Sequence, residues 1–222
     1  MNYGIVLLLS LLITLGAQGY IRSTYQKTRV IESKKRMTGK EVARKILDKN
    51  GLHNVTIGRV SGKLSDHYSP KDKNVNLSDS IYSDISIASL AVAAHECGHA
   101  IQDKESYSFL KFRTALVPVV NFTSRISSIL LLIGISSQLT KLISLGIILL
   151  CGGLLFQLVT LPVEFNASNR AMIQLNEMGL VSKKDYEGTK KVLHAAALTY
   201  VAAFLSTALQ ILRLVMANKN RR

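Results

Sequence analysis

The segment AAHECGHAIQ, from Ala93 to Gln102, contains two histidines four residues apart, with a glutamate directly after the first. Positions four apart lie one above the other on a helix, so His95 and His99 can both present a ring nitrogen to one metal ion. Neutral imidazole suits zinc, and Glu96 lies about 100° round the helix, within reach of a water on that ion. Zinc lowers the pKa of such a water toward about 7, so Glu96 can accept its proton during attack on a carbonyl. The segment therefore predicts a catalytic zinc site on a helix.

The pattern His-Glu-x-x-His arises by chance in roughly one chain of this length in a few hundred, so its sequence context matters. The preceding run is apolar on nearly every face, which predicts a buried helix from Asp84, as N-cap, through Gln102. Residues 54–68 and 74–80 have the composition of short strands, with a Ser-Gly break in the first and the turn signal SPKDK between them. We therefore expect the metal helix to follow a small sheet.

Residues 38–51 predict the first helix of the polar region. Thr38 and Glu41 form the capping-box pattern that begins a helix, and Gly51 suits the position just past its end. Together with the predicted strands and the metal helix, this segment gives the polar region a small α+β fold.

Charged residues are unevenly distributed along the 222-residue chain, whose net charge is +14. Residues 1–21 carry no charge, whereas residues 22–113 carry 17 of the 28 basic and 10 of the 14 acidic residues. No basic stripe alternates with aromatic residues, so a nucleic-acid partner is not expected. Four apolar segments are long enough to cross about 30 Å of hydrocarbon: residues 3–19, 114–138, 142–161 and 192–212. The pattern predicts a mainly α membrane protein, with four transmembrane helices and a zincin-like α+β domain inserted after the first.

The basic residues that follow the first apolar segment predict how the chain is oriented. Seven of them occur between Arg22 and Lys40, which favours an uncleaved anchor with its N-terminus outside and the next region in the cytoplasm. Cys97 and Cys151 are not expected to pair, and free thiols are typical of a reducing compartment. The basic tail conflicts with an external C-terminus, so whether the last segment fully crosses stays open; the tail carries Arg213, Lys219, Arg221 and Arg222.

A catalytic zinc needs a third protein ligand, and Glu164 in LPVEFNASNRAM is the best candidate. Pro162 is expected to end the preceding span, which places Glu164 at a membrane surface at the start of a new helix. The two predicted spans between His99 and Glu164 return the chain to the same side. The alternative is an interfacial glutamate that caps a helix N-terminus. The predicted domains are thus an anchor (1–21), a cytoplasmic α+β segment (22–113), a transmembrane hairpin (114–161), the helix with the third ligand (162–191), and a last span with its basic tail (192–222).

The run SIASLAVAAHECGHAIQ, together with LPVEFNASNRA downstream, resembles the small bacterial membrane proteins described as neutral zinc metallopeptidases. The resemblance covers essentially the whole chain and implies a gluzincin-type site, in which His95, His99 and Glu164 bind one zinc and Glu96 is the catalytic base. The chain is more distantly similar to the heat-shock and prenyl-protein-processing membrane proteases. Those relatives carry an aspartate one turn after the ligand glutamate, where this chain has Ser168, whose hydroxyl can still hydrogen-bond a ligand histidine.

Three further features are candidates for substrate handling or membrane function. NVNLSD is the natural edge strand for a bound peptide, through Asn74, Val75, Asn76 and Leu77, although an ordinary structural strand fits the sequence equally well. Tyr200 and His194 are candidate donors to the oxyanion, with a packed tyrosine and an interfacial histidine as the alternatives. Arg125 interrupts the second apolar segment, so it either faces the protein interior or a cavity, or it marks the boundary of a span that begins later.

The sequence thus predicts a multi-pass zinc metalloprotease of the bacterial cytoplasmic membrane, with its active site facing the cytoplasm. The expected cofactor is one Zn²⁺ per chain, and the expected partners are the lipid bilayer and a peptide or membrane-protein substrate. Self-association and a membrane partner protein both stay open. The alternative function is a non-catalytic membrane adaptor or holdase with a structural zinc, for which no fourth protein ligand is apparent in the sequence.

Overall fold

The computed structural model describes residues 3–219, so Arg221 and Arg222 of the basic tail lie outside the described residues. The chain is mainly helical and contains one small sheet. Its elements in order are α1 (Tyr3–Arg29), α2 (Gly39–Lys49), β1 (Thr56–Val60), β2 (His67–Ser69), β3 (Asn74–Ser78), α3 (Asp79–Ser83), α4 (Ile87–Lys104), α5 (Ser108–Ser136), α6 (Thr140–Glu177) and α7 (Tyr186–Lys219).

Four of these helices, α1, α5, α6 and α7, are long and apolar enough to cross a membrane, as the sequence predicts. The prediction that Pro162 ends a span is wrong, because α6 continues through it for 38 residues. A proline removes one helical hydrogen bond, and packing of the next turns can offset that loss. In α6 that packing comes from residues at a spacing of four, which are all buried: Val163, Ala167, Ala171 and Leu175.

The sheet has the strand order β1-β3-β2, with β1 parallel and β2 antiparallel to β3. The prediction that Asn74–Leu77 form an exposed edge is therefore wrong, since β3 is the central strand. The cause is the break at Ser61-Gly62, which divides residues 54–68 into two separate strands instead of one. These two strands occupy both sides of β3 and leave β1 and β2 as the outer strands.

The start of α2 agrees with its sequence pattern. The Thr38 hydroxyl accepts the Glu41 N–H at 3.2 Å, and the Glu41 carboxylate accepts the Thr38 N–H at 2.8 Å. Gly51 follows the helix with φ +67°, the conformation expected at that position. The N-cap of α4, in contrast, is Ser86 rather than Asp84, because the Ser86 hydroxyl accepts the Ser89 N–H at 3.2 Å.

The chain divides into two compact units. Residues 19–110 and 163–198 form what we call the site unit, in which α2, α4 and the sheet enclose a buried apolar core. Residues 3–18, 111–162 and 199–219 form the membrane unit. There α5 and α6 meet closely at Gly146, and the buried Ser127 hydroxyl donates to the Gly146 carbonyl at 2.8 Å.

Arg125 lies in the middle of α5 with an exposed side chain. Its side chain therefore does not face the protein interior. The interpretation that Arg125 marks the boundary of the span stays a prediction, since a helix can extend beyond the membrane.

Candidate metal centre

The candidate site forms where α4 comes close to α6 within the site unit. The approach is possible because residue 98 is glycine: a Cβ there would lie 2.5 Å from the backbone carbonyl oxygen of Ala167. Ala167 itself is fully buried. A side chain as small as a methyl group would therefore force the two helices apart at this point.

Glu164 on α6 reaches both histidines of α4. Its Oε2 atom lies 3.3 Å from His95 Nε2 and 3.7 Å from His99 Nε2. The two imidazole rings are 4.8 Å apart and nearly perpendicular. All three side chains are largely buried, with exposed fractions of 13% for His95, 10% for His99 and 3% for Glu164. The three predicted ligands therefore converge on one point.

These distances fit a shared metal ion better than direct hydrogen bonding. A charge-assisted N–H···O bond is typically about 2.8 Å long. Two atoms that each bind one tetrahedral zinc at about 2.1 Å lie roughly 3.4 Å apart. The measured separations of 3.3 and 3.7 Å agree with the second arrangement. Two imidazoles and a carboxylate are also the donors of many catalytic zinc sites.

Both histidines have a partner on the ring nitrogen that faces away from this point. The Ser168 hydroxyl lies 3.1 Å from His95 Nδ1, and the Gln102 Oε1 atom lies 3.0 Å from His99 Nδ1. Because an amide oxygen only accepts, His99 Nδ1 carries a proton, and in the neutral ring Nε2 then keeps its lone pair. The partners thus direct Nε2 toward Glu164 and orient both rings for a metal.

Gln102 is a residue of the candidate site that the sequence interpretation missed. Its side chain is fully buried, and its Nε2 atom donates to the Val163 carbonyl at 2.8 Å and to Asn166 Oδ1 at 2.9 Å. All its polar atoms are therefore paired, and it connects His99 with the helix that carries Glu164. The available signal was its position three residues after His99, on the same face of the helix.

Glu96 points its carboxyl group into a buried environment, since the residue is only 7% exposed. This burial raises the pKa of the Glu96 carboxyl, while the two neighbouring histidines oppose the rise. Glu96 does not belong to the group of three converging donors.

The two candidate oxyanion donors belong to different units of the chain. His194 is exposed and belongs to the site unit, whereas Tyr200 is 37% exposed and belongs to the membrane unit. The buried Cys97 thiol donates to the Ala43 carbonyl at 3.6 Å, so it points toward α2. Cys97 and Cys151 are both free, as expected.

Comparison of the sequence with known proteins shows the family to which the chain belongs. A family model described as "Putative neutral zinc metallopeptidase" matches residues 3–219. The chain is 46% identical over 206 residues to the "Putative membrane protease YugP" of Bacillus subtilis (strain 168). The alignment covers 93% of this chain and 92% of that relative. No solved structure matches the chain.

Proposed function

The chain belongs to the neutral zinc metallopeptidase family whose model it matches over residues 3–219, and on that basis we propose that it is a membrane-embedded zinc metalloprotease that hydrolyses peptide bonds. The observation that carries the proposal is the convergence of His95, His99 and Glu164. Their donor atoms all lie within 4.8 Å of one another. We assign these three residues as the ligands of one zinc ion.

A zinc ion supplies Lewis acidity, which polarises the peptide carbonyl and makes a water molecule acidic enough to lose its proton near neutral pH. Glu96 accepts that proton as the water attacks the carbonyl carbon, and then donates it to the amine that leaves. Gln102 and Ser168 hold the two imidazole rings in the orientation that presents Nε2. The buried position of Glu96 keeps bulk water from competing for the proton.

We further propose that a peptide substrate binds along β2 as an additional strand. β2 is an outer strand that packs against α4, and its Tyr68 hydroxyl donates to Asp103 of α4 at 2.6 Å. Asp66 fixes the start of β2, because its carboxylate accepts the Ser78 N–H at 2.6 Å. N-methylation of alternate amides in a substrate peptide should then raise KM. An unchanged KM for every methylated peptide would exclude this binding mode.

The proposed location is the bacterial cytoplasmic membrane, with the active site facing the cytoplasm. The four apolar helices and the relative named as a membrane protease support a membrane location. The seven basic residues after the first apolar segment support the orientation. A cysteine placed at the exposed Asp72 should react with a membrane-impermeant maleimide in inside-out vesicles and be protected in right-side-out ones.

The alternative is a non-catalytic adaptor with a structural zinc. A structural zinc site is closed by a fourth protein ligand. Within residues 3–219, the group of converging donors contains only His95, His99 and Glu164. An open coordination position favours catalysis.

The variant Glu96→Gln separates the two functions. The full-length protein in detergent should retain one zinc per chain by elemental analysis. It should lose cleavage of a quenched fluorescent peptide library by about 10²- to 10⁴-fold, because the general base is gone. A chelator should abolish cleavage by the wild type, and zinc should restore it.

The matched control is Glu187→Gln, the same chemical change at an exposed glutamate of α7. It should keep both zinc and activity. Equal cleavage by Glu96→Gln and wild type would exclude the proposed mechanism, and a zinc-loaded wild type that cleaves no peptide would favour the adaptor.

A further inference from the structure

Arg125 occupies the middle of a helix that is long enough to span a membrane. It lies twelve residues after Arg113 and eleven before Ser136, the last residue of α5. At 1.5 Å per residue these separations correspond to about 18 and 16 Å. When α5 crosses a hydrocarbon core of about 30 Å between Arg113 and Ser136, Arg125 lies near the centre of that core.

The guanidinium group has no partner in the described part of the chain. Its side chain is exposed, and within residues 3–219 it makes no hydrogen bond or ion pair. The sequence of the membrane unit contains no aspartate or glutamate. An unpaired charge at this depth is costly, and the membrane unit offers no acid to pair with it, so a carboxylate from another molecule would stabilise it.

Lipid phosphates are too distant to pair with Arg125 directly. An arginine side chain extends roughly 7 Å from its backbone, whereas the headgroups lie about 15 Å from the bilayer centre. A second copy of this chain is also unsuitable, because its membrane unit offers the same basic residues and no acid. The chemistry that matches is a carboxylate held at the same depth.

Arg125 belongs to an exposed stripe of α5 that we call the α5 seam: Pro118, Phe122, Arg125, Ile129 and Leu132. Their spacing alternates between four and three residues, as in the contact line of paired helices. Phe122, Ile129 and Leu132 are 66%, 56% and 73% exposed. The side of α5 that carries Ser127 and Leu131 already packs against α6.

We propose that the α5 seam binds a transmembrane helix of another protein that carries aspartate or glutamate near its midpoint. The carboxylate pairs with Arg125, and the apolar seam residues on either side pack against the partner helix. The inference stands on α5 alone, so it survives or fails independently of the zinc site.

The test uses the full-length protein in phosphatidylcholine vesicles and a labelled, leucine-rich peptide of about 23 residues that spans the bilayer. Three peptides differ only in the central residue, which is Asp, Asn or Leu, and binding is measured by resonance energy transfer. We expect the Asp peptide to bind about tenfold more tightly than the Leu peptide. Arg125→Leu should remove that preference, and Arg125→Asp should transfer it to a peptide with central Lys.

The matched control is Lys141→Leu, which removes an exposed cation from the first turn of α6 and should keep the preference for Asp. All variants should give the helical circular-dichroism spectrum and the monodisperse elution in detergent of the wild type, which shows that they fold. Equal binding of all three peptides would overturn the proposal. So would disulfide-linked dimers of Ile129→Cys in a Cys151→Ser background, or a phospholipid that wild type retains in native mass spectrometry and Arg125→Leu does not.

Discussion

The site unit and the membrane unit satisfy their buried polar groups in different ways. All 14 acidic residues and all five histidines of the chain belong to the site unit, whereas the membrane unit contains neither type. The site unit buries carboxylates within networks of charged and amide groups, which stabilise only when the geometry is accurate. The membrane unit relies on hydroxyl-to-carbonyl bonds such as that from Ser127 to Gly146. We infer that the site unit tolerates small displacements much less well.

Glycine substitutions in the two units should give the largest difference. Gly98→Ala places a methyl group 2.5 Å from the Ala167 carbonyl oxygen, and backbone cannot move aside cheaply. We expect a loss of several kcal/mol in the free energy of unfolding. Zinc and peptidase activity should disappear together, because Glu164 lies one turn before Ala167 on α6. Both are measurable on the purified variant by elemental analysis and by peptide cleavage.

Gly152→Ala makes the same change at a glycine that packs loosely, unlike Gly146 of the same unit. The nearest atom to a Cβ at this position is the Thr123 hydroxyl at 3.7 Å, an ordinary contact. The variant should unfold within about 0.5 kcal/mol of the wild type and keep its zinc. Equal damage from Gly152→Ala and Gly98→Ala would show that the close approach of α4 and α6 is not what makes Gly98 necessary.

The next largest effect should come from Gln102→Leu. The change leaves His99 Nδ1, the Val163 carbonyl and Asn166 Oδ1 without their buried partner. We expect zinc affinity to fall by about 10- to 100-fold, because the His99 ring loses its orientation. Competition with a fluorescent chelator measures this directly. Gln102→Glu should retain part of the affinity, since a carboxylate can still accept from His99; equal losses for both variants would show that only packing matters.

The local features of the fold were predictable from sequence, because each depends on neighbouring residues. The capping box of Thr38 and Glu41 and the positive φ of Gly51 are examples. Long apolar segments likewise identified the four membrane-spanning candidates. The wrong N-cap for α4 arose because Asp84 and Ser86 are both good capping residues only two positions apart.

Features that depend on distant contacts were not predictable in the same way. The central position of β3 follows from the pairing of strands separated by a loop, and sequence pattern does not determine strand order. Pro162 continues a helix because buried residues after it pack well. Gln102 was missed because its role depends on Val163 and Asn166, more than 60 residues away. The convergence of His95, His99 and Glu164 agrees with the sequence prediction, whereas their assignment as ligands stays a proposal.

A smaller effect is expected at Ser168. Its hydroxyl is the partner of His95 Nδ1 at 3.1 Å, and the residue is only partly buried. Ser168→Ala should weaken zinc binding by about tenfold, at the lower end of the range for such partners. Ser168→Asp should restore or strengthen binding, because a carboxylate accepts more strongly from the imidazole N–H. Unchanged zinc affinity in both variants would mean that water orients His95 equally well.

The smallest expected effect is a difference between the two units in how their stability changes with pH, because only the site unit contains acidic residues. The capping bonds with Thr38 lower the pKa of Glu41 below its usual value, and ion pairing with Arg170 does the same for Glu105. A carboxyl whose pKa is lowered on folding stabilises the folded state above its ordinary pKa, and this contribution is lost as the pH falls through that range. Burial raises the pKa of Asp66, so this residue changes the pH dependence of stability in the opposite direction.

Hydrogen exchange, corrected for its intrinsic pH dependence, should therefore show weaker protection of α2 at pH 4 than at pH 7. Protection of α5 should stay constant, because apart from the chain ends the membrane unit has no group that titrates in that interval. Glu41→Gln should reduce the change at α2 and leave α5 unaffected, whereas an equal loss in both helices would show that acidification opens the two units together.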